Sequence, residues 1–593
     1  MPERSDRTTP VAWRQAWQLA GLAGLAGLRL QAVLAVVQAL LPVAGLLAMQ
    51  RLIDAVATGL SGQVPAAAAL REATIATVVA AAVAFLGNAL RGVATVLSEA
   101  HGRALSDAAT LRLQTHAATL DLAEFDRPAF HELLQRAGAE ASQRPVRFCQ
   151  DGLAVLVAAT ALISMVVLLA GVSWWLPALV AMLALPLAWA RAHHTRQRVR
   201  WQEQHLGEQR DIGYAGAVLT GRATGKDVRV LGLQAMFGDR LARLRAGLRT
   251  SLRQLAGGRS RDELLVHTVS SLGLFAAYFV LAKTALAGGL TLGELVLQAQ
   301  AAQRAQNGVR DLLGAMLGVQ EHRLFLRPVV DFLARTPNLV VTAPPATPPP
   351  GPLAVTADHL TFAYAEGSDV LREVSFTVAA GERIAVVGHN GSGKSTLVKL
   401  LARLYAPARG LLAANGVALA HVEPTHWRTR LAVLLQDASL FELTVRENLQ
   451  LGHGDPVRDD DLWRALAVVG LAERVRSLPQ GLDTMCSRRH AEGVDWSTGE
   501  ARRLLLARTL ARPCDLLLLD EPFLALDGAM AASLAAHFAA LPRTTTVLIV
   551  DHRPQAIAWV DRVLLLERGQ LVATGTPSTL AAQHPAFRAL FPG

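Results

Sequence analysis

Charge is what this chain has little of. Lysine, arginine, aspartate and glutamate together make up 18% of its 593 residues, where soluble domains usually carry about 25%. The deficit lies in the first half, in long apolar runs, which excludes one soluble globule and points to membrane spans. Cysteine is nearly missing: Cys149, Cys486 and Cys514 are scattered without metal-ligand spacing, which argues against a disulfide framework and against a zinc site. No small-residue cleavage site follows a short apolar core, so no signal peptide is read. The net charge is +10 and the pI about 10.3. A basic balance can mark nucleic-acid binding. Here, however, many arginines flank apolar runs, and the preference of basic residues for the cytoplasmic side explains them more simply.

Residues 30–50 carry no charge and are long enough to cross a bilayer. Arg4, Arg7, Arg14 and Arg29 precede them, which puts the N-terminus in the cytoplasm. Residues 73–90 form a second span. Residues 152–190 lack charge throughout. As one helix they would run roughly 58 Å, nearly twice the hydrocarbon core, so two spans with a tight turn near 171–177 are expected. Trp174 and Trp175 suit the outer interface. Residues 264–282 form a fifth span, and a more polar sixth begins near residue 290. Six spans place both ends inside, with the polar segments 91–151 and 191–263 in the cytoplasm as helical extensions of the spans. Arg196, Arg198, Arg243, Arg245 and Arg249 in the second of these fit that side. Arg304, in the sixth span, either lines a polar or anionic path or sits at the cytoplasmic edge.

Residues 342–352 read TAPPATPPPGP. Such a segment is stiff and enters neither helix nor sheet. The expected division is therefore a cytoplasmic entry segment (1–29), a membrane domain (30–341), a linker (342–352) and a soluble domain (353–593). The last alternates apolar strands with helical patterns, as an α/β fold does.

Within it, Gly388-His389-Asn390-Gly391-Ser392-Gly393-Lys394-Ser395-Thr396 contains G-x-x-x-x-G-K-S. Backbone N–H groups of such a loop cradle nucleotide phosphates. The buried-strand pattern before it (383–387) and the helical pattern after it supply the context the motif needs. Residues 516–521 read LLLLDE, a buried strand ending in two carboxylates. Asp520 is placed to hold Mg²⁺ through water and Glu521 to polarise the attacking water, with Lys394 on the β/γ-phosphates and Ser395 on the metal. A solvated turn is the bland alternative for paired acids, and four leucines ahead of them speak against it. His552, after the apolar run 546–550, is suited to the γ-phosphate. Gln436, after 431–435, is suited to sensing metal and water. Tyr364 is suited to stacking on adenine, with a solvated tyrosine as its alternative.

These motifs, in this order, resemble the ATP-binding cassette (ABC) transporters in their exporter arrangement, and the resemblance spans essentially the whole chain. It implies an exporter-type membrane domain of six helices followed by a P-loop NTPase domain of the ABC kind. The phosphate loop is similar to Walker A, 516–521 to Walker B, Gln436 to the Q-loop, 525–527 to the D-loop, His552 to the switch histidine and Tyr364 to the A-loop. One membrane domain fused to one nucleotide domain resembles a half-transporter. ATP and Mg²⁺ are then the implied cofactors and a second half-transporter the partner, with two ATPs sandwiched between the nucleotide domains. Coupling helices are expected near 124–135 and 212–218.

One motif departs from the family. Where the family has L-S-G-G-Q, this chain has Trp496-Ser497-Thr498-Gly499-Glu500. Ser497 and Gly499 keep the hydroxyl and one close backbone approach to the partner's ATP. Thr498 adds a side chain where glycine lets the backbone come near, and Glu500 adds negative charge near phosphate. Both changes weaken the site. A heterodimer with one strong and one weak ATP site is therefore weighed equally with a homodimer that tolerates the variant. The expected function is ATP-driven export of a small molecule, lipid or peptide by alternating access, from an inner (plasma) membrane and with the nucleotide domain cytoplasmic. An ATP-gated regulator and an importer of exporter form are the competing readings. A soluble nucleic-acid ATPase leaves five apolar spans unexplained.

Overall fold

In the computed structural model the described residues are 11–591, apart from 172–173, 222–223, 338, 340, 342–343, 365–366, 455, 491 and 525. Arg4, Arg7, Thr342 and Ala525, all used above, lie outside the described residues. Tertiary contacts divide the chain into two compact units, Met1–Ala117 with Leu133–Ala334, and Ala118–Glu132 with Arg335–Gly593.

The helices of the first half are, in chain order, α1 (Trp13–Ala20), α2 (Leu25–Leu60), α3 (Ala66–Thr119), α4 (Leu122–Phe125), α5 (Pro128–Ala141), α6 (Arg144–Ala170), α7 (Trp175–Gln204), α8 (Leu206–Thr220), α9 (Gly225–Val230), α10 (Gln234–Leu286), α11 (Leu292–Phe325) and α12 (Arg327–Leu333). Helix is what lipid demands, because it satisfies every backbone N–H and C=O within one segment. By length and composition α2, α3, α6 and α10 can each cross a membrane, so the chain is a multi-pass membrane protein. The 30 residues of α7 and 34 of α11 are long enough as well but more polar, as expected for the sixth span. The spans do continue unbroken into polar sequence: α3 and α10 have 54 and 53 residues, about 80 Å each at ~1.5 Å per residue. The charge-free run 152–190 is broken after Ala170, and α7 resumes at Trp175. The turn is thus shorter than expected. Pro177 falls in the first helical turn, where a missing N–H costs nothing.

Helix α11 packs on α6, where a Cβ at Gly308 would stand 3.6 Å from Leu162, and its Ala301, Ala302 and Ala305 are buried as well; small side chains let helices approach closely. Arg304 lies on the exposed face of α11. At the far end of α11, Arg323 donates to the Val11 carbonyl at 3.0 and 2.7 Å and lies over the Trp13 ring. These contacts hold the start of α1.

Among the described residues the second unit has ten strands in two sheets. A four-stranded antiparallel sheet, not expected from sequence, has the order β2-β1-β4-β5: β1 (Val355–Phe362), β2 (Leu371–Val378), β4 (Arg409–Ala414) and β5 (Val417–Ala418). The other has six strands in the order β10-β9-β3-β8-β7-β6: β3 (Arg383–Val387), β6 (Leu431–Leu434), β7 (Leu516–Asp520), β8 (Thr546–Val550), β9 (Arg562–Glu567) and β10 (Gln570–Gly575). All its neighbours are parallel except the β9–β10 hairpin. Strands β3, β7 and β8 are buried at every position, which is why they read as continuous apolar runs without alternation.

The segment 118–132 belongs to this second unit. Asp121 accepts the Leu339 N–H at 2.9 Å, Glu124 pairs with Arg127 at 2.6 Å and Arg335 at 3.2 Å, and the Tyr405 hydroxyl donates to Asp126 at 2.7 Å. The single helix expected over 124–135 is instead two. Residue Arg127 precedes Pro128, and a residue before proline is pushed out of the helical region. The other expected coupling segment, 212–218, lies within α8. In the linker, Arg430 donates to the carbonyls of Pro348 and Gly351, both at 2.8 Å, so the proline-rich segment is pinned without entering helix or sheet.

Candidate functional site

The phosphate loop runs from the end of β3 to α13 (Lys394–Leu401). Its glycines are dictated by space as well as by torsion. Gly393 has φ +99°, and a Cβ there would stand 2.6 Å from Leu371 Cδ2; at Gly388 a Cβ would meet the Leu566 carbonyl at 2.1 Å. Lys394 Nζ donates to the carbonyls of Gly388 and His389 at 2.8 and 2.9 Å, so its ammonium spans the cradle. Burial holds this ammonium below its ordinary range, opposed by the charges of Glu521 and Asp520.

The parallel pairing of β7 with β6 and β8 brings Asp520 and Glu521 to the same sheet end as Gln436 and His552. Asp520 is 1% exposed. Burial raises its pKa, and a hydrogen bond from the Ser395 hydroxyl pulls it back. Its Oδ1 has no hydrogen-bond partner among the described residues. An orphaned carboxylate oxygen beside a hydroxyl is the hard-oxygen donor set that Mg²⁺ takes. Ser395 and Asp520 therefore fit the ion.

Glu521 adopts φ +51°, uncommon for a residue with a side chain. Its N–H donates to Val550 O at 2.8 Å, and its Oε2 accepts Gln436 Nε2 at 3.0 Å. Such a backbone costs on the order of 1–3 kcal/mol and persists only where its surroundings hold it. His552 is an exposed side chain on a fixed backbone. Its N–H and that of Arg553 donate to Asp551 Oδ1 at 2.7 and 3.0 Å, and Phe523 N–H donates to Asp551 Oδ2 at 3.4 Å. Asp551, 2% exposed, thus joins the His552 turn to the turn after Glu521. Burial raises its pKa against those three donors. The half-buried Tyr364 meets Phe362 and Tyr405 edge-on, with ring centroids 4.9 and 5.2 Å away, and its hydroxyl is 3.1 Å from Thr396 Oγ1.

Ser497 is the N-cap of the helix Thr498–Ala511. Its Oγ accepts Glu500 N–H at 3.2 Å, and Glu500 Oε2 accepts Ser497 N–H at 3.0 Å. Arg474 Nε donates to the other carboxylate oxygen at 3.3 Å. These donors hold the Glu500 carboxyl below its ordinary range. The carboxylate thus completes a capping box with Ser497 at the helix start. Ser497 and Thr498 stay exposed, while Gly499 is half-buried. In the D-loop segment, Asp527 caps the helix Gly528–Ala540 by accepting Met530 N–H at 2.8 Å.

The structure thus gathers Lys394, Ser395, Gln436, Asp520 and Glu521 at one sheet end, sets Tyr364 beside Thr396, and leaves the helix start at Ser497 facing outward. At this sheet end the buried charged residues Asp551 and Arg502 were not singled out from sequence. The signal for Asp551 was present, since a carboxylate directly after the four apolar strand residues 547–550 is as unexpected as Asp520 after LLLL.

The sequence profile described as ABC transporter matches residues 371–524. A multidrug resistance ABC transporter ATP-binding and permease protein of Lactococcus lactis is 32% identical over 39% of this chain and 39% of its own length. An ATP-dependent lipid A-core flippase of Burkholderia thailandensis is 35% identical over 39% of this chain and 38% of its own. The flippase of Nitrosococcus oceani is 26% identical over 68% of this chain and 66% of its own. The chain thus spans about two fifths of the length of the first of these relatives. Among solved structures, a bacterial Atm1-family ABC exporter with ATP bound superposes with a TM-score of 0.77 at 24% identity, covering 95% of this chain and 98% of the other.

Proposed function

We propose, for a chain that is an ABC transporter in its nucleotide domain and has the ABC exporter fold, that it hydrolyses ATP to drive export across the cell's inner (plasma) membrane, as one half of a dimer with cytoplasmic nucleotide domains. The observation that carries this reading is the joining of Lys394, Ser395, Asp520, Glu521 and Gln436 at one sheet end, in a chain whose first half is multi-pass. In the proposed cycle the loop N–H groups from Gly388 to Thr396, through His389, Asn390, Gly391, Ser392 and Gly393, surround the β- and γ-phosphates. Lys394 gives up its carbonyl partners for phosphate oxygens. Tyr364 stacks on adenine. Ser395, Asp520 and Gln436 would hold Mg²⁺, which when bound would supply charge to offset the phosphate oxygens. Glu521, released by Gln436, polarises the attacking water, and His552 reaches the γ-phosphate. Closure of two nucleotide domains then turns the membrane helices outward, and hydrolysis resets them.

The capping box of Glu500 favours self-pairing. With Arg474 beside it as a counter-charge, the ionised carboxylate opposes ATP less, and Ser497 Oγ and Gly499 remain to meet the partner's nucleotide. The second reading, a heterodimer, rests on the Thr498 side chain at the exposed helix start. The relatives' names make lipids and drugs the first cargo classes to screen. The deciding measurement is ATP turnover of the chain alone in lipid nanodiscs, beside Glu521→Gln, with binding of an ATP analogue as the folding control. Turnover lost in the variant is expected. Analogue binding with no turnover in the native chain would overturn self-pairing and send the search to a different partner subunit.

A further inference from the structure

The nucleotide domain keeps one cation out of water beside its carboxylates. Arg502 is 8% exposed and stands one turn into the helix that begins at Thr498. Its guanidinium donates to four carbonyl oxygens: Leu435 at 2.8 Å, Gln436 at 2.9 Å, Asp520 at 2.7 Å and Glu521 at 3.4 Å. Taking a guanidinium out of water is costly, and an apolar side chain of similar volume would fill the space without that penalty. The four acceptors show what the charge does there. Strands β6 and β7 pair in parallel as far as Leu434 and Leu519. Past that pair the ladder ends, and the next carbonyls, at 435, 436, 520 and 521, are those Arg502 takes. A planar fork with five donors can span them, so the side chain continues a pairing the two backbones no longer make.

We propose that Arg502 is a positioning residue for hydrolysis: it holds the chain segments carrying Gln436 and Glu521 in register beyond the end of the sheet. The left-handed backbone of Glu521, bonded through its N–H to Val550 O and through its carbonyl to Leu524 N–H, gains a further hold from Arg502. Arg502 also sits on the helix whose first residues present Ser497 to a partner's ATP. A shift of that helix is therefore passed directly to Glu521, and the signature of one ATP site is tied to the carboxylate of the other. The inference rests on the ATPase reading above.

The test uses the full chain in nanodiscs with Arg502→Lys and Arg502→Met. A lysine keeps the charge but has one ammonium with three donors and cannot span four carbonyls. The expected result for Arg502→Lys is a fall in kcat of roughly 10- to 100-fold, with KM and ATP-analogue affinity within about threefold and thermal unfolding unchanged. Arg502→Met is expected to fall further; if it does not fold, Arg502→Lys carries the test alone. A kcat for Arg502→Lys within about twofold of native would overturn the proposal. So would a loss of kcat and analogue affinity in the same proportion, which marks general integrity rather than positioning. Native turnover with an unaffected variant sinks only this inference, whereas a native chain without turnover overturns the ATPase reading and this inference with it.

Discussion

The two units of this protein meet different solvents, and their apolar residues are arranged accordingly. In α3 only 6% of the most apolar window is buried, and Phe85, Phe275 and Phe279 stand exposed on their helices. In the nucleotide domain the apolar residues of β3, β7 and β8 are enclosed at every position. Apolar surface in the first unit is matched to hydrocarbon and needs no protein cover. In the second it is removed from water, at about 25 cal/mol per Å². The same residue types thus support the membrane unit through lipid and the nucleotide unit through packing, and the candidate site of Lys394, Asp520 and Glu521 lies in the unit that encloses its strands.

The largest effect that would sharpen this contrast is chemical. Lys394→Ala should lower turnover by about 100-fold or more, by removing charge from the phosphates, while leaving helical content and membrane insertion unchanged by circular dichroism and flotation. Loss of both together would break the division of labour.

Next come paired truncations. Leu518→Ala, in a strand buried on both faces, should destabilise the nucleotide domain by about 2–5 kcal/mol. Phe279→Ala on α10 should change stability by no more than about 0.5 kcal/mol in lipid, as surface changes do. Hydrogen exchange read separately over β7 and α10 measures both, and equal effects would mean that Phe279 is covered by protein.

Asp551→Ala leaves the N–H groups of His552, Arg553 and Phe523 without their acceptor, a penalty of about 1–3 kcal/mol. Faster exchange at those three amides and a lower kcat are expected. Unchanged exchange would show that the carboxylate does not hold the His552 turn.

The smallest effect concerns the departure from the family. Glu500→Gln keeps the capping box and should leave stability within a few tenths of a kcal/mol, whereas Glu500→Ala keeps the Ser497 cap but loses the reciprocal bond to Ser497 N–H, worth about 0.5–1.5 kcal/mol. The pH dependence has a defined sign. The folded-state pKa of Glu500 is depressed, so its contribution is present above the unfolded carboxylate pKa and fades as pH falls through the lower folded value. Glu500→Ala should therefore flatten that acid limb. A limb identical to native would show that the capping box does not persist in solution.

Local sequence determined the parts whose cause is local. Lipid admits only segments that satisfy their own backbone, so charge-free runs had to be helices, and a run too long for one bilayer crossing had to break. A G-x-x-x-x-G-K-S loop between a buried strand and a helix makes a phosphate cradle by backbone geometry alone, and LLLL before Asp520 and Glu521 announced a buried strand end. What no local pattern carries is which strand ends meet, because strand order depends on contacts far apart in the chain. The convergence of Gln436 and Glu521, 85 residues apart, was read only by likeness to a family. The antiparallel sheet, the membership of 118–132 in the nucleotide unit and the grip of Arg502 on four carbonyls were decided by tertiary structure. Each turns on where a partner from elsewhere in the chain arrives.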